Sequence, residues 1–433
     1  MQLNQIPSVL LKHADELTKY YEKAFPTLAP LAKPCFLSTI ATTIQPLDDQ
    51  YTFVITGDIP AMWLRDSSAQ VIHYVPYAKN DCQLQALLEG VIAAQVKYVC
   101  IDPYANAFNA SPNGQGMKDI TLRNDFVWER KYEVDSLCAP IYLAHSYWKE
   151  TGSTAVFTPV FRTALERIVE VFTCEQDHSR SPYLFERADC PDTDTLPFGG
   201  KGTPVAPTGM TWSGFRPSDD RCEYGYLVPS NMMACVALSK AAEISDAVYH
   251  DYELFRRCTK LQTEIEAGIR TYAVVDHPKH GAIYAYETDG LGHHSLMDDA
   301  NSPSLLALPY LEYCAENDAI YQNTRRFILS EDNPYYYKGT YAKGIGSPHT
   351  PSGYIWPIAL AMQALTSCDR DEIMQCLTML VETHAGTNQM HESFDSNEPE
   401  QFTRPWFAWA NTLLATLMEK LMHMDFFALR DAD

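Results

Sequence analysis

Apolar residues recur along this chain at intervals of three and four almost from end to end, a spacing that predicts helix after helix. Residues 80–99 set Leu84, Leu87, Leu88, Val91 and Tyr98 on one face. Residues 134–151 do the same with Leu137, Ile141, Ala144 and Trp148, and stop at Gly152, a residue suited to a left-handed C-terminal stop. Comparable segments lie at 6–24, 66–78, 155–174, 230–246, 248–271, 303–316, 317–330, 353–367, 370–384 and 405–424. About twelve helices result, many paired through short turns. The long connections are 25–65, 100–133, 175–229, 272–302, 331–352 and 385–404, and loops of that length usually carry function. Two of them hold strand signals, Tyr51-Thr52-Phe53-Val54-Ile55-Thr56 and Ala282-Ile283-Tyr284-Ala285-Tyr286. The expected fold is all-α, an (α/α)6 barrel of helical hairpins with the long loops and short β-hairpins at one mouth. No low-complexity stretch or linker interrupts residues 1–433, so a single domain is expected.

Composition narrows the partners. With 46% hydrophobic residues the chain has ample apolar area for a large core. A net charge of −22 argues against nucleic acid and anionic membrane, because phosphate binding needs positive potential. The twelve cysteines are scattered, with no CxxC pair. The start, Met1-Gln2-Leu3-Asn4-Gln5, lacks the basic-then-apolar layout of a secretory leader, and no apolar run looks like a membrane span of about 20 residues. A reducing, cytoplasmic setting is expected.

The chemistry concentrates in three stretches. Asp58-Ile59-Pro60-Ala61-Met62-Trp63-Leu64-Arg65-Asp66-Ser67 puts an indole, a guanidinium and carboxylates within a few residues. Sugars are held by flat aromatic faces against their C–H surfaces and by planar polar groups that bridge adjacent hydroxyls, and Trp63, Arg65, Asp66 and Asp58 supply such parts. Helix capping by Asp66 is the plainer reading, but it leaves Arg65 unexplained. Thr211-Trp212-Ser213-Gly214-Phe215-Arg216-Pro217-Ser218-Asp219-Asp220 is the second stretch. Its adjacent acids cannot easily aim at one point, so one is catalytic and the other structural. The third runs from His391-Glu392-Ser393-Phe394 to Arg404-Pro405-Trp406. Two carboxyl groups across an aromatic-walled pocket are what glycosidic bond hydrolysis requires. Other mechanisms find little support. GxSxG and HExxH are absent, and Gly199-Gly200-Lys201-Gly202 is not a phosphate loop. His293-His294 with Asp298-Asp299 is a poor metal site, because adjacent histidines point apart, so no metal or other cofactor is expected.

The segments from Asp58 to Ser67 and from Gly214 to Asp220, together with Pro229-Ser230-Asn231-Met232, His391-Glu392-Ser393-Phe394 and Arg404-Pro405-Trp406-Phe407-Ala408-Trp409, resemble glycoside hydrolase family 125 over about residues 30 to 420. The family comprises exo-α-1,6-mannosidases. The resemblance implies an (α/α)6 barrel, metal-independent hydrolysis of α-mannoside oligosaccharides and inversion at the anomeric carbon. It puts the general base on Glu392 and the general acid on the Asp219–Asp220 pair, on Asp219 in preference, with Asp220 as support. Asp219 would be kept protonated by partial desolvation. Expected pocket walls are Trp63, Arg65, Asp66, Trp212, His349, Trp356 and Arg404. A sugar epimerase on the same barrel, using His349 and His391 as acid and base, is the alternative enzyme. A non-catalytic sugar-binding protein would keep the aromatics without needing Glu392.

Overall fold

A computed structural model describes residues 6–48 and 50–428. The described α-helices are Ser8–Ala24, Ala29–Thr42, Leu64–Ala69, Cys82–Ile101, Val134–Thr151, Pro159–Cys174, Val228–Ala247, Tyr252–Tyr272, Ala319–Ile328, Pro357–Leu365, Arg370–Glu382 and Ala408–His423. A short turn at Pro197–Gly200 is not a true helix, since Phe198 and Gly199 have left-handed angles.

The helices form a ring of hairpins. Leu64–Ala69 packs on Val134–Thr151, which packs on Val228–Ala247; farther round, Pro357–Leu365 packs on Ala408–His423, which returns to Leu64–Ala69. These inner helices are buried on nearly every side, Pro357–Leu365 entirely so. The outer helices are amphipathic. Tyr252–Tyr272, for example, buries Leu254, Cys258, Leu261, Ile265 and Ile269, a stripe at helical spacing, and leans it on Val228–Ala247. The chain's ends close the ring: Ser8–Ala24 and Ala29–Thr42 both pack on Ala408–His423, and the Tyr21 hydroxyl donates to the Met418 carbonyl at 2.8 Å. This is the (α/α)6 architecture, and its main core is one connected cluster from Ile6 to Phe427.

Three expectations about elements need correction. The connection 25–65 contains the helix Ala29–Thr42, whose face pattern is hidden because most of its positions are buried and because Pro30 and Pro34 punctuate it. The segment 303–316 is not helical. Pro303 and Pro309 deprive it of backbone donors, and the Asp298 carboxylate takes the N–H groups of Leu305 and Leu306 at 2.8 and 3.0 Å. It still fills an inner position, accepting from Tyr142 at Leu311 and from Tyr321 at Leu306. The expected helix 66–78 is broken as well, into Leu64–Ala69 and a 3₁₀ stretch, Ile72–Asn80, that contains Pro76.

The strand signals are real and small. Thr52–Val54 pairs antiparallel with Ile44–Pro46, and Gly281–Tyr284 with Val274–His277. More telling for function are the three-stranded pieces at helix starts. Met62–Trp63 pairs with Ala107–Phe108, and that strand with Val127–Glu129; Tyr354–Ile355 pairs with Ser393–Asp395, which pairs with Phe402–Thr403. They stitch separate long loops together. Among the described residues one helix, Cys82–Ile101, is long and apolar enough to cross a membrane on length and composition alone, contrary to the expectation from sequence. Here it is a core helix, packed on Val134–Thr151 and Pro159–Cys174 with 61% of its apolar window buried.

Candidate active site

The stitched loops enclose a narrow pocket lined by Thr56, Ile59, Trp63, Arg65, Asp66, Pro217, Ser218, Asp219, Asn301, His349, Trp356, Glu392, Arg404 and Phe407. It adjoins a second, outer cavity of about 570 Å³, walled by Trp128, Lys131, Pro348 and Asp220 among others, a size typical of small-ligand sites. Ile59, Trp63, Asp219 and His349 border both spaces. The junction between them is therefore flanked by an indole, an imidazole and a carboxyl group.

Asp219 is aimed by its backbone. It adopts a left-handed conformation, φ 69°, which Asp tolerates better than most residues. The turn is cinched by the Asp219 N–H donating to Arg216 O at 3.0 Å and the Arg216 N–H donating to Asp220 O at 2.7 Å. Ser218 donates to Asp299 at 2.8 Å, Asn301 donates to Pro217 O at 2.7 Å, and Arg216 donates to Glu287 at 2.6 Å. A fixed turn of this kind holds a reacting group within a fraction of an ångström. Asp219 lies deep yet keeps contact with solvent through the cavities. Burial raises its carboxyl, but Lys131, Arg65 and His349 outweigh burial and hold it below the usual carboxylate value. Desolvation therefore does not by itself keep Asp219 protonated, as the sequence had suggested.

Asp220 points elsewhere. Its Oδ1 lies 3.1 Å from His349 Nδ1. Burial disfavours a charged His349, but the hydrogen bond to Asp220 and the charges of Asp220, Asp219 and Glu392 push it up to about 9. Asp66 is buried; Arg65 Nη2 stands 3.1 Å from its Oδ2, yet that oxygen has no aligned donor. Burial raises the Asp66 carboxyl against the pull of Arg65. A buried carboxyl oxygen without a donor, on the wall of a pocket, suits a sugar hydroxyl.

Glu392 is buried in the narrow pocket just ahead of the strand Ser393–Asp395. Arg404 Nη1 is 3.3 Å from its Oε1. Arg404 is itself clamped, donating from Nε and Nη2 to Asp58 at 3.0 and 2.6 Å, with its guanidinium 4.8 Å from the Phe407 ring. The loop that carries it is pinned by a bridge between Gly57 and Phe407. Trp356 donates from Nε1 to Thr350 at 3.0 Å, which fixes its ring edge-on to Phe407.

Two expected wall residues lie outside the pocket. Trp212 is buried in the core beneath it, stacked on His178 with ring centroids 3.5 Å apart. Asp58 is exposed and acts through Arg404. Sequence reasoning missed Thr56, Ile59, Pro217, Ser218, Asn301 and Phe407 as lining residues; Ile59, Pro217, Ser218 and Phe407 sat unremarked inside quoted motifs. It also missed Asn106 and Glu133 behind the acid, although Tyr132 adjoins Glu133 and Tyr104 and Phe108 flank Asn106 in the sequence.

The discarded chemistries fare no better in three dimensions. His293 pairs with Asp289 at 2.6 Å while His294 turns to Tyr272 O. Among the described residues no group of three or more His, Cys, Asp or Glu side chains could hold a metal. His391 is buried, stacked on Phe402 at 3.7 Å, and burial lowers its pKa. It does not line the pocket, so the epimerase alternative lacks its second histidine.

A ring of helical hairpins with two carboxyl groups in an aromatic pocket at one mouth defines a glycoside hydrolase. A family model described as metal-independent alpha-mannosidase (GH125) matches residues 26–419. The Meiotically up-regulated gene 157 protein of Schizosaccharomyces pombe is 42% identical over 419 residues, a match covering 91% of this chain and 82% of that one. A solved Streptococcus pneumoniae metal-independent α-mannosidase, in a non-productive complex with α-1,6-mannobiose, is 46% identical with a TM-score of 0.93, covering 98% of this chain and 99% of that one. A glucoamylase from Saccharomycopsis fibuligera, at 10% identity and TM-score 0.56 over 86% of this chain and 89% of that one, shares the fold alone. The chain belongs to glycoside hydrolase family 125, the metal-independent α-mannosidases.

Proposed function

We propose that this enzyme releases terminal α-1,6-linked mannose from mannoside oligosaccharides by single displacement with inversion, Asp219 acting as general acid and Glu392 as general base. The observation that carries the reading is the junction. The scissile oxygen of a sugar seated in the narrow pocket lies where that pocket meets the outer cavity. Asp219 borders both spaces; Asp220 borders only the outer one, and Glu392 only the inner. An acid belongs at the junction and a base inside, on the far face of C1. Asp219 gives its proton to the leaving oxygen as the C1–O bond breaks, and Glu392 takes a proton from the attacking water. Single displacement calls for carboxyl groups about 6.5–9.5 Å apart, which leaves room for that water. A narrow inner pocket favours one terminal residue, hence exo action. The α-1,6-mannobiose in the pneumococcal relative supports the linkage. A reducing, cytoplasmic setting is part of the proposal, supported by twelve cysteines that are all free.

The decisive experiment is kinetic. Asp219→Asn and Glu392→Gln should each lower turnover of α-1,6-mannobiose by at least about 10²–10⁴-fold. An activated aryl mannoside needs little protonation, so Asp219→Asn should recover on it while Glu392→Gln should not. If Asp220→Asn shows the leaving-group dependence instead, the acid is Asp220. NMR of the fresh product should show β-mannose; an initial α signal would overturn inversion.

A further inference from the structure

An acid must hold a proton, yet the cations around Asp219 favour its ionised form. The resolution lies behind it. Asn106 Nδ2 faces three carboxyl oxygens at once: Glu129 Oε2 at 3.1 Å, Glu133 Oε1 at 3.2 Å and Asp219 Oδ1 at 3.4 Å. Its orientation is fixed, because the Lys131 N–H donates to Asn106 Oδ1 at 3.2 Å. An amide nitrogen carries two protons, so one of the three oxygens receives none. Glu133 Oε2 is already served, by Arg65 Nη1 at 2.7 Å and Ser136 Oγ at 2.8 Å. Glu133 Oε1 and Asp219 Oδ1 thus meet at one amide nitrogen, and a hydrogen bond from Glu133 is among the influences that lower the Asp219 carboxyl.

Two neighbouring carboxyls that converge on one amide in a mostly buried site resist ionising together, so a pair of this kind retains a proton. The surroundings favour that outcome. Around the pair stand Arg65 and Lys131, with His349 on the cavity side, against Asp66, Glu129, Asp135 and Asp220. Burial, together with Asp135 and Asp219, holds the Glu133 carboxyl well above the ordinary range despite Arg65. Either carboxyl can carry the proton, and it belongs to the pair.

We propose that Glu133 is a positioning residue for the acid, storing the proton it shares with Asp219 and supplying it through their hydrogen bond during turnover. The inference rests on Asp219 being the general acid. In the free enzyme the pair holds one proton, with Glu133 its more favourable seat because burial raises that carboxyl while the cations lower Asp219. As the C1–O bond breaks and its electron pair passes to the leaving oxygen, Glu133 hands its proton to Asp219 and Asp219 delivers that one proton to the oxygen. Both carboxyls are then ionised. Glu392, having taken a proton from the attacking water, releases it to solvent, and solvent restores one to the pair through the outer cavity. The sum is hydrolysis, with no proton unaccounted for.

Glu133→Gln tests this, because its amide donates to Asp219 at every pH and stabilises the ionised form. Turnover of α-1,6-mannobiose should fall at least about 10²-fold, while an activated aryl mannoside should be cleaved within a few-fold of the wild-type rate. The alkaline limb of kcat/KM should move to lower pH, and Glu133→Asp, which keeps a carboxyl, should restore its position. A purely structural role, through the lost grip on Arg65, predicts that both substrates slow together with the pH profile unmoved; that result overturns the proposal. Asp219→Asn runs in parallel. If it lacks leaving-group dependence, the acid assignment itself fails; if it has that dependence and Glu133→Gln does not, only the sharing fails. Should Glu133→Gln not fold, infrared difference spectra of wild type and Asp219→Asn decide. A protonated-carboxyl stretch present at neutral pH in wild type should vanish in Asp219→Asn, and its persistence would overturn the shared proton.

Discussion

His349 shows how one side chain couples this site to pH. Its ordinary value is about 6.5, and in the folded enzyme it is pushed up to about 9 by Asp220, Asp219 and Glu392 in spite of burial. A cation stabilised by folding contributes fully below about pH 6.5 and loses that contribution as pH rises through 9. The melting temperature should therefore decline between these values, and the decline should flatten in His349→Gln. With 37% of its side chain exposed, solvent screens the effect, so a slope rather than a collapse is expected. Thermal melts of both proteins across that range check it; identical slopes would remove His349 as the cause. The charge also faces the junction, where it favours an ionised Asp219. That opposition is what makes a second carboxyl behind the acid useful.

Among the elements, the short connections do more for catalysis than the helices. Gly57 has φ 141°, and a Cβ there would meet the Trp406 carbonyl oxygen at 2.2 Å. Gly57→Ala forces apart the bridge that brings Asp58 to Arg404 and Arg404 to Glu392. Strain and lost contact together should cost about 1–3 kcal/mol of stability. Activity should fall further than stability explains, as judged by kcat at a temperature where the variant stays folded. The helices announced themselves in sequence wherever one face is wet, as with Leu84, Leu87, Leu88 and Val91. Ala29–Thr42 escaped because Pro30 and Pro34 interrupt it as well as burial hiding its period; Pro357–Leu365, buried entirely but without an internal proline, was still legible within 353–367. Residues 303–316 misled in the opposite sense, since Leu305, Leu308 and Leu311 keep helical spacing while prolines and the Asp298 carboxylate claim the backbone. The site followed the same logic. Asp66, Arg65, Trp63, Glu392, Arg404, Trp356 and His349 do line the pocket, whereas Trp212, with the same aromatic signature, is core. Glu133 and Asn106 were invisible because their meaning lies in a contact with Asp219, and Asn106 is 113 positions away from it.

At the scale of the molecule, the ring is closed by its two ends, and the pocket draws on nearly the whole circumference, from Thr56 to Phe407. Arg65 from the first turn of Leu64–Ala69 and Asp219 and Glu392 from two loops come together across most of the chain, and Arg404 with its Asp58 clamp joins residues 346 positions apart. No contiguous part contains a working site. A polypeptide emerging from the ribosome therefore has no activity until Ala408–His423 has cleared the exit tunnel and packed against Leu64–Ala69. Chains stalled before Glu392 should cleave nothing, even though most of their helices are already made. Two separately expressed pieces, split within an outer turn such as 248–251, should each be inert and gain activity only when mixed. Turnover by either piece alone would contradict this.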